Sequence, residues 1–289
     1  MKKLIITITL ITSPILAQCD WNEDGVVDVL DIVQTVDCIM GNGECPEIPV
    51  YGCTDPLALN FDPNATEDDG SCEYDSDACV DIDGNVYSTV IIGIQEWMAE
   101  NLKVIHYRNG DNIPTGHPNN EWEELNEYET GAYCVYEDEP INAEIYGNLY
   151  NKYAVDDDRG ICPDGWHVPS DEEFIELELY LGMSEEVTHD YNWRGTNEGS
   201  MLAGNAELWP DNELLSHEEF GYSGFDAIPG GFRRPYGVYE NIGLNAYFWT
   251  FTPDYSGYYW FREVSQFHSN IFRNTYPRQS GLSVRCVRD

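Results

Sequence analysis

The chain has 289 residues, with 53 Asp or Glu against 14 Lys or Arg, a formal net charge of −39 at pH 7. A surface so acidic repels phosphate backbones, which excludes nucleic acid as a partner. Hydrophobic residues make up 42% and include 20 Tyr and 8 Trp, enough for a packed core and too many for a disordered chain.

Met1-Lys2-Lys3 and the apolar run Leu4 to Leu16 read as a secretory signal peptide over residues 1–17, cleaved after Ala17. The run is too short for a comfortable membrane span, and no other apolar stretch competes. Gln18, not a small residue, precedes Cys19, which argues against lipidation. The chain is therefore expected in the bacterial envelope or outside it. The sequence ends at Asp289, directly after the last expected strand, so no C-terminal sorting segment is expected. Export permits disulfides. All nine cysteines follow the cleavage point, so at least one is unpaired or pairs between chains.

The segment 18–45 carries the strongest motif. In Asp20-Trp21-Asn22-Glu23-Asp24-Gly25-Val26-Val27-Asp28-Val29-Leu30-Asp31, oxygen side chains stand at loop positions 1, 3, 5, 9 and 12 and glycine at 6. Asp20, Asn22, Asp24, Asp28, Asp31 and the Val26 carbonyl thus form the oxygen cage that Ca2+ requires. Ile32, Val33, Val36, Ile39 and Met40 mark an amphipathic helix behind it, ending at Gly41-Asn42-Gly43. Aspartate at position 12 departs from the EF-hand and resembles a dockerin repeat. A dockerin pairs two such units and only one is found here, so the resemblance implies calcium binding and gives weak support to a cohesin-type partner.

Residues 46–78 form a second small module. Between Cys53 and Cys72 the chain is too short to bury a core, and a bridge between them would supply what packing cannot. The stretch resembles a Cys-Thr-Asp-Pro repeat of exported bacterial proteins. Asp62, Asn64, Asp68 and Asp69 fit no cation loop and read as a solvated acidic surface. Glu73 to Ala78 is a polar linker.

From Cys79 the texture changes to short apolar runs, aromatics and glycines. Asp81-Ile82-Asp83-Gly84-Asn85 predicts a turn before a strand from Val86 to Ile94, with Trp97 and Leu102 in the core. Residues 109–129 read as a polar loop, Tyr133 to Tyr136 as a short strand and Gly147 to Asn151 as a buried segment. Pro163-Asp164-Gly165 is turn chemistry. Ser170 with Glu173 is a capping box for a helix whose buried face is Phe174, Ile175, Leu177 and Leu181, stopped by Gly182. Cys162, just before that helix, takes Cys286 as its candidate partner. Gly230 to Arg234, Tyr247 to Phe251 and Ser283 to Arg288 are expected strands. The partners of Cys19, Cys38, Cys45, Cys79 and Cys134 stay open. The fold class expected is α+β, loop-rich, with few helices and short strands.

Asp81-Ile82-Asp83-Gly84-Asn85-Val86-Tyr87, Trp97-Met98-Ala99-Glu100-Asn101-Leu102, the Cys162 stretch and the closing Val284-Arg285-Cys286-Val287-Arg288-Asp289 resemble the Fibrobacter succinogenes major paralogous domain, over 79–289. That family is similar to C-type-lectin-like folds and to formylglycine-generating enzymes, so the resemblance implies a C-type-lectin-like domain. It also raises an oxidase reading, in which Cys134, Cys162 and Cys286 would supply a copper-bound pair. A Cys162–Cys286 disulfide is the simpler account, and local acidity works against a reactive thiol. No histidine pair, nucleophile elbow or phosphate loop is present, and no catalytic residue is assigned. Glu139-Pro140-Ile141-Asn142 breaks the calcium-lectin pattern. Crowded rings near the C-terminus (Trp209, Tyr236, Tyr239, Tyr247, Trp249, Tyr255, Tyr258, Tyr259 and Trp260) favour sugar stacking, although most are expected in the core. Seven arginines of the C-terminal region, Arg233 to Arg288, are expected to pair internally with acids of the domain. The function expected is non-catalytic recognition of a glycan or an extracellular protein, with a structural cell-surface protein of calcium-stabilised modules, or the oxidase, as the alternative.

Overall fold

The computed structural model describes residues 49–56, 58, 60–72 and 79–289. The signal segment and the calcium loop of Asp20, Asn22, Asp24, Val26, Asp28 and Asp31 lie outside the described residues, as do Cys19, Cys38 and Cys45. The chain divides into two units, Met1–Asp75 and Ser76–Asp289.

In the first unit two dipeptide strands, β1 (Tyr51–Gly52) and β2 (Glu67–Asp68), pair in parallel. Cys53 and Cys72 are joined by a disulfide, S–S 2.08 Å. The acidic side chains order the turns: Asp62 accepts from the Asn64 N–H at 2.9 Å, Asp68 from Gly70 at 3.1 Å and Asp69 from Ser71 at 2.9 Å. These are local Asx turns, in which a short carboxylate replaces a backbone acceptor.

The second unit begins with β3 (Cys79–Val80) and β4 (Val86–Tyr87), an antiparallel pair around the Asp81–Asn85 turn. The expected continuous strand to Ile94 is broken at Ser88. There the N–H turns to the Glu100 carboxylate at 2.9 Å while the carbonyl accepts from Ala99, so β5 (Thr89–Ile92) pairs instead with β6 (Gln95–Met98). Three helices and two strands follow: α1 (Asn119–Glu124), β7 (Tyr133–Cys134), α2 (Pro140–Tyr146), β8 (Leu149–Tyr150) and α3 (Lys152–Val155). Helix α1 sits inside the stretch read as a loop. Its one buried side chain, Trp122, donates Nε1–H to the Gln279 carbonyl at 2.7 Å and lies 4.3 Å under the Arg233 guanidinium. Contacts more than a hundred residues away hold that turn, and no local period announces it.

Next come β9 (Trp166–His167), α4 (Asp171–Tyr180), β10 (Asn192–Arg194), α5 (Glu198–Leu202) and α6 (Glu213–Ser216). The capping box at α4 is complete: Ser170 Oγ accepts from the Glu173 N–H, and the Glu173 carboxylate accepts from the Ser170 N–H. The last strands are β11 (Gly230–Arg233), β12 (Tyr239–Ile242), β13 (Asn245–Pro253), β14 (Tyr259–Ser265), β15 (Ile271–Tyr276) and β16 (Val287–Arg288).

Two four-stranded antiparallel sheets organise these pieces, in the orders β10-β15-β14-β13 and β5-β6-β16-β9. The unit is mixed helix and sheet, with few helices and short strands. Cys162 and Cys286 are bonded, S–S 2.06 Å, and Val287 pairs with both Trp97 and His167, so the end of the described chain is inserted between β6 and β9. Closing a loop of 124 residues removes chain entropy from the unfolded state, worth about 5 kcal/mol in the loop-closure estimate.

The core forms where α4 meets the sheets. Trp97, 0% exposed, packs on Phe174 with ring centroids 5.0 Å apart and on Phe225 at 5.6 Å. Beneath α4 the charges of β10, β14 and β15 are matched one by one. Arg262 meets Asp171 and Glu178 at 2.7 Å each, Arg194 meets Glu178 at 2.7 Å, and Arg273 meets Asp171. A buried ion network of this kind fixes register more surely than it adds stability. Internal pairing does not extend to every arginine. Arg285 is buried against carbonyls of Met98, Phe225 and Asp226 and the Asn101 amide, and Arg233 against carbonyls of His117 and Gly237.

Candidate functional site

The site is built from the turn at Asp81–Asn85. The Asp81 carboxylate is buried and accepts from the N–H of Asp83 (2.9 Å) and Asn85 (3.0 Å), from Asn85 Nδ2 (2.8 Å) and from the Tyr87 hydroxyl (2.5 Å). Four donors on one carboxylate make the loop rigid. Asp83 then reaches across to the following strand segment, accepting from the Ile105 N–H at 2.6 Å, from the His106 N–H at 3.3 Å and from the His106 ring. That hydrogen bond to Asp83 raises the His106 pKa and favours the imidazolium.

The opposite wall is α2. Pro140 starts it, Gly147 ends it with φ +73°, and it buries none of its own side chains. At Gly147 a Cβ would stand 2.8 Å from Asn101 Cβ and 2.9 Å from the Leu102 carbonyl, so glycine is required by space as well as by φ. The tight stop lets Asn148 drop beneath the wall. Its N–H donates to Leu102 and its Nδ2 to the Lys103 carbonyl at 2.8 Å.

Between these walls lies a cleft of about 810 Å3, within the range of small-molecule sites. Asp83 and Asn85 line one side, Asp138, Pro140, Ala143 and Glu144 the other, with Lys103, Ile105, Thr115, Tyr133, Val135 and Asn148 between. Two features set its chemistry. Tyr133 is half-buried, its ring packed against the core with its centroid 6.3 Å from that of Tyr150, and burial raises its phenol pKa. Asn148 is 2% exposed, and its Oδ1 has no hydrogen-bond partner. A buried amide oxygen left unpaired is costly, and few remain so without a reason.

A second cavity of about 480 Å3 lies beside Cys162, lined by Asp156, Asp157, His167, Glu173 and Phe251 among others. Most of its charged groups are paired: His167 with Glu173 (2.8 Å) and Asp289 (2.7 Å), Asp157 with Arg159 (2.8 Å), and Asp156 with buried Lys152, while Asp158 is exposed. The Lys152 ammonium also sits over the Tyr259 ring at 4.2 Å, and burial lowers its pKa to about 8. Among the described residues no buried, partnerless polar side-chain atom lines this cavity, whereas Asn148 Oδ1 belongs to the lining of the first cleft.

The residues singled out in the sequence fall elsewhere. Trp209, Tyr247, Trp249, Tyr259 and Trp260 are core, Tyr239 is half-buried against Tyr136, and Tyr236, Tyr255 and Tyr258 are exposed away from the cleft lining. The ring that does line the cleft, Tyr133, appeared in the sequence only as part of a short strand. Glu139 of the broken lectin pattern precedes the first turn of α2. Cys134 and Cys79 are free and buried, and desolvation pushes their thiols up to about 11 and about 12. Among the described residues no group of three or more His, Cys, Asp or Glu is placed to hold a metal ion. No helix among them is long and apolar enough to cross a membrane.

Residues 90–288 match the family described as the Fibrobacter succinogenes major domain. The chain belongs to that family. The match contains the cleft wall from Lys103 to Asn148, both four-stranded sheets apart from the first residue of β5, and the Cys162–Cys286 bridge. Among curated proteins, the chain is 62% identical over 34 residues to a chloroplastic ribulose bisphosphate carboxylase/oxygenase activase of Oryza sativa subsp. japonica, which covers 12% of this chain and 6% of that protein. No solved structure matches.

Proposed function

We propose that the chain is an exported, non-catalytic binding protein of the bacterial envelope or exterior, in which a C-type-lectin-like domain holds a glycan in the 810 Å3 cleft. The observation that carries this reading is the cleft's composition: one half-buried aromatic ring, unpaired hydrogen-bonding groups and an orphaned amide oxygen around a volume suited to one or two sugar rings. Sugar hydroxyls donate and accept at once, and the apolar face of a pyranose stacks on a ring such as Tyr133. The state of the cysteines supports the non-catalytic part. Cys162 and Cys286 are spent on each other, and Cys134 is a buried thiol whose pKa is raised, the opposite of a reactive one.

The loop of Asp20, Asn22, Asp24, Val26, Asp28 and Asp31 is proposed to bind Ca2+ and to stabilise the N-terminal unit. Docking to a cohesin-type partner has less support, because a single repeat lacks half of the paired surface. Glycan-array binding by the mature chain tests the main reading, with a protein pull-down in parallel. Capture of a protein with an empty array would transfer the function to a protein ligand. Turnover of a small substrate with both experiments empty would reject binding altogether. Calcium is separable: it should raise the melting temperature of the wild type and not of an Asp20→Ala/Asp24→Ala variant.

A further inference from the structure

We infer that the cleft selects sugars by charge, taking neutral or amino sugars and rejecting uronic and sulfated ones; this inference rests on the glycan reading above. It follows from which groups in the cleft have capacity left. Asp83 has little, since the Ile105 N–H, the His106 N–H and the His106 ring take three of its acceptor sites. Among the described residues Asp138 accepts only from the Tyr239 hydroxyl at 3.2 Å, and Glu144 on α2 is exposed. Each carboxylate has about four acceptor sites, so both present open lone pairs to the cleft. Asn148 lines the floor, its buried Oδ1 without a hydrogen-bond partner. Against these stands one ammonium, Lys103, which forms no ion pair among the described residues.

The site therefore needs protons from its ligand. A hydroxyl or ammonium group supplies them, whereas a carboxylate or sulfate brings only further lone pairs and a like charge. Like charges at close range oppose binding, and the −39 field of the whole chain adds to the exclusion. The flat ring of Tyr133 accounts for the sugar rather than a simple amine.

Titration calorimetry on the mature full-length chain tests this with matched probes: oligomers of glucose, glucosamine and glucuronic acid, and the galactose counterparts. The expected result is binding of the neutral or amino form, with the acid form weaker by about ten-fold or more. In an Asp138→Asn/Glu144→Gln variant, both positions being exposed, the gap should close to about three-fold or less, while Lys103→Gln, which removes the opposing ammonium, should widen it. An acid sugar bound as tightly as its neutral partner overturns charge selection and leaves the glycan reading standing. Failure of every series to bind overturns the glycan reading itself. A Lys- or Arg-rich peptide bound more tightly than any sugar overturns both.

Discussion

Asp81 touches no ligand in this account, yet the cleft depends on it. One buried carboxylate satisfies two backbone N–H groups, an amide and a phenol, and so fixes where Asp83 and Asn85 stand. Asp81→Ala leaves those donors unpaired, including the buried Tyr87 hydroxyl. The expected cost is about 3 kcal/mol in urea denaturation, with loss of sugar binding. Asp81→Asn, which keeps an acceptor, should lose less. Equal stability of Asp81→Ala and the wild type would show that the loop is held by something else. Asn148 acts differently, since its Nδ2 anchors it to the Lys103 carbonyl while its Oδ1 waits for a donor. An asparagine in a polar-aromatic stretch is commonplace in sequence. That half of its amide is unpaired follows only from the packing of residues forty positions away.

At the scale of elements, legibility tracks range. Both ends of α4 could be read, its start from Ser170 and Glu173 and its stop from Gly182, because its caps are local, and the structure carries the same box. The same holds for the Asp81–Asn85 turn. Helix α1 could not be read, because Trp122 is held by the Gln279 carbonyl and Arg233. Nor could the break at Ser88, which depends on Glu100. The cleft suffers most from this limit: its walls come from segments that are separately unremarkable, and their convergence is set by contacts such as Asn148 to Leu102. The junction of β9 and α4 also carries a pH dependence. The hydrogen bond that the His167 ring donates to Glu173 raises its pKa against an opposing burial effect, and Asp289 adds to the rise. A raised imidazole pKa gives stability that is complete below the unfolded value of about 6.5 and is lost as pH climbs through the folded one. His167 is 39% exposed in its side chain, so the effect is screened and modest. Melting temperatures followed upward from pH 6 should fall in the wild type more steeply than in His167→Gln. Parallel profiles would remove His167 as the source.

The second unit is held by the last strand of the chain. β16 closes the second sheet, and the Cys162–Cys286 bond ties it to the segment that leads into α4. Reduction, or the Cys162→Ala/Cys286→Ala pair, should lower stability by up to about 5 kcal/mol, read as the shift in denaturation midpoint. An unchanged midpoint would mean that β16 needs no tether. Charge acts on the same scale. With 53 acids and 14 bases, repulsion favours expansion, and added salt screens it over about 10 Å at 0.1 M. The net acidity that limits stability also keeps anions out of the cleft, which joins the charge of the whole chain to the selectivity of one site.

The most direct measurement is a crystal structure of the mature chain soaked with the neutral sugar that binds best. The account predicts ligand density against the Tyr133 ring between the Asp81–Asn85 turn and α2, with a sugar hydroxyl within hydrogen-bond distance of Asn148 Oδ1. Density at another surface, such as the β13–β14 tip where Tyr255 is 96% exposed, with the cleft empty of sugar, would contradict it.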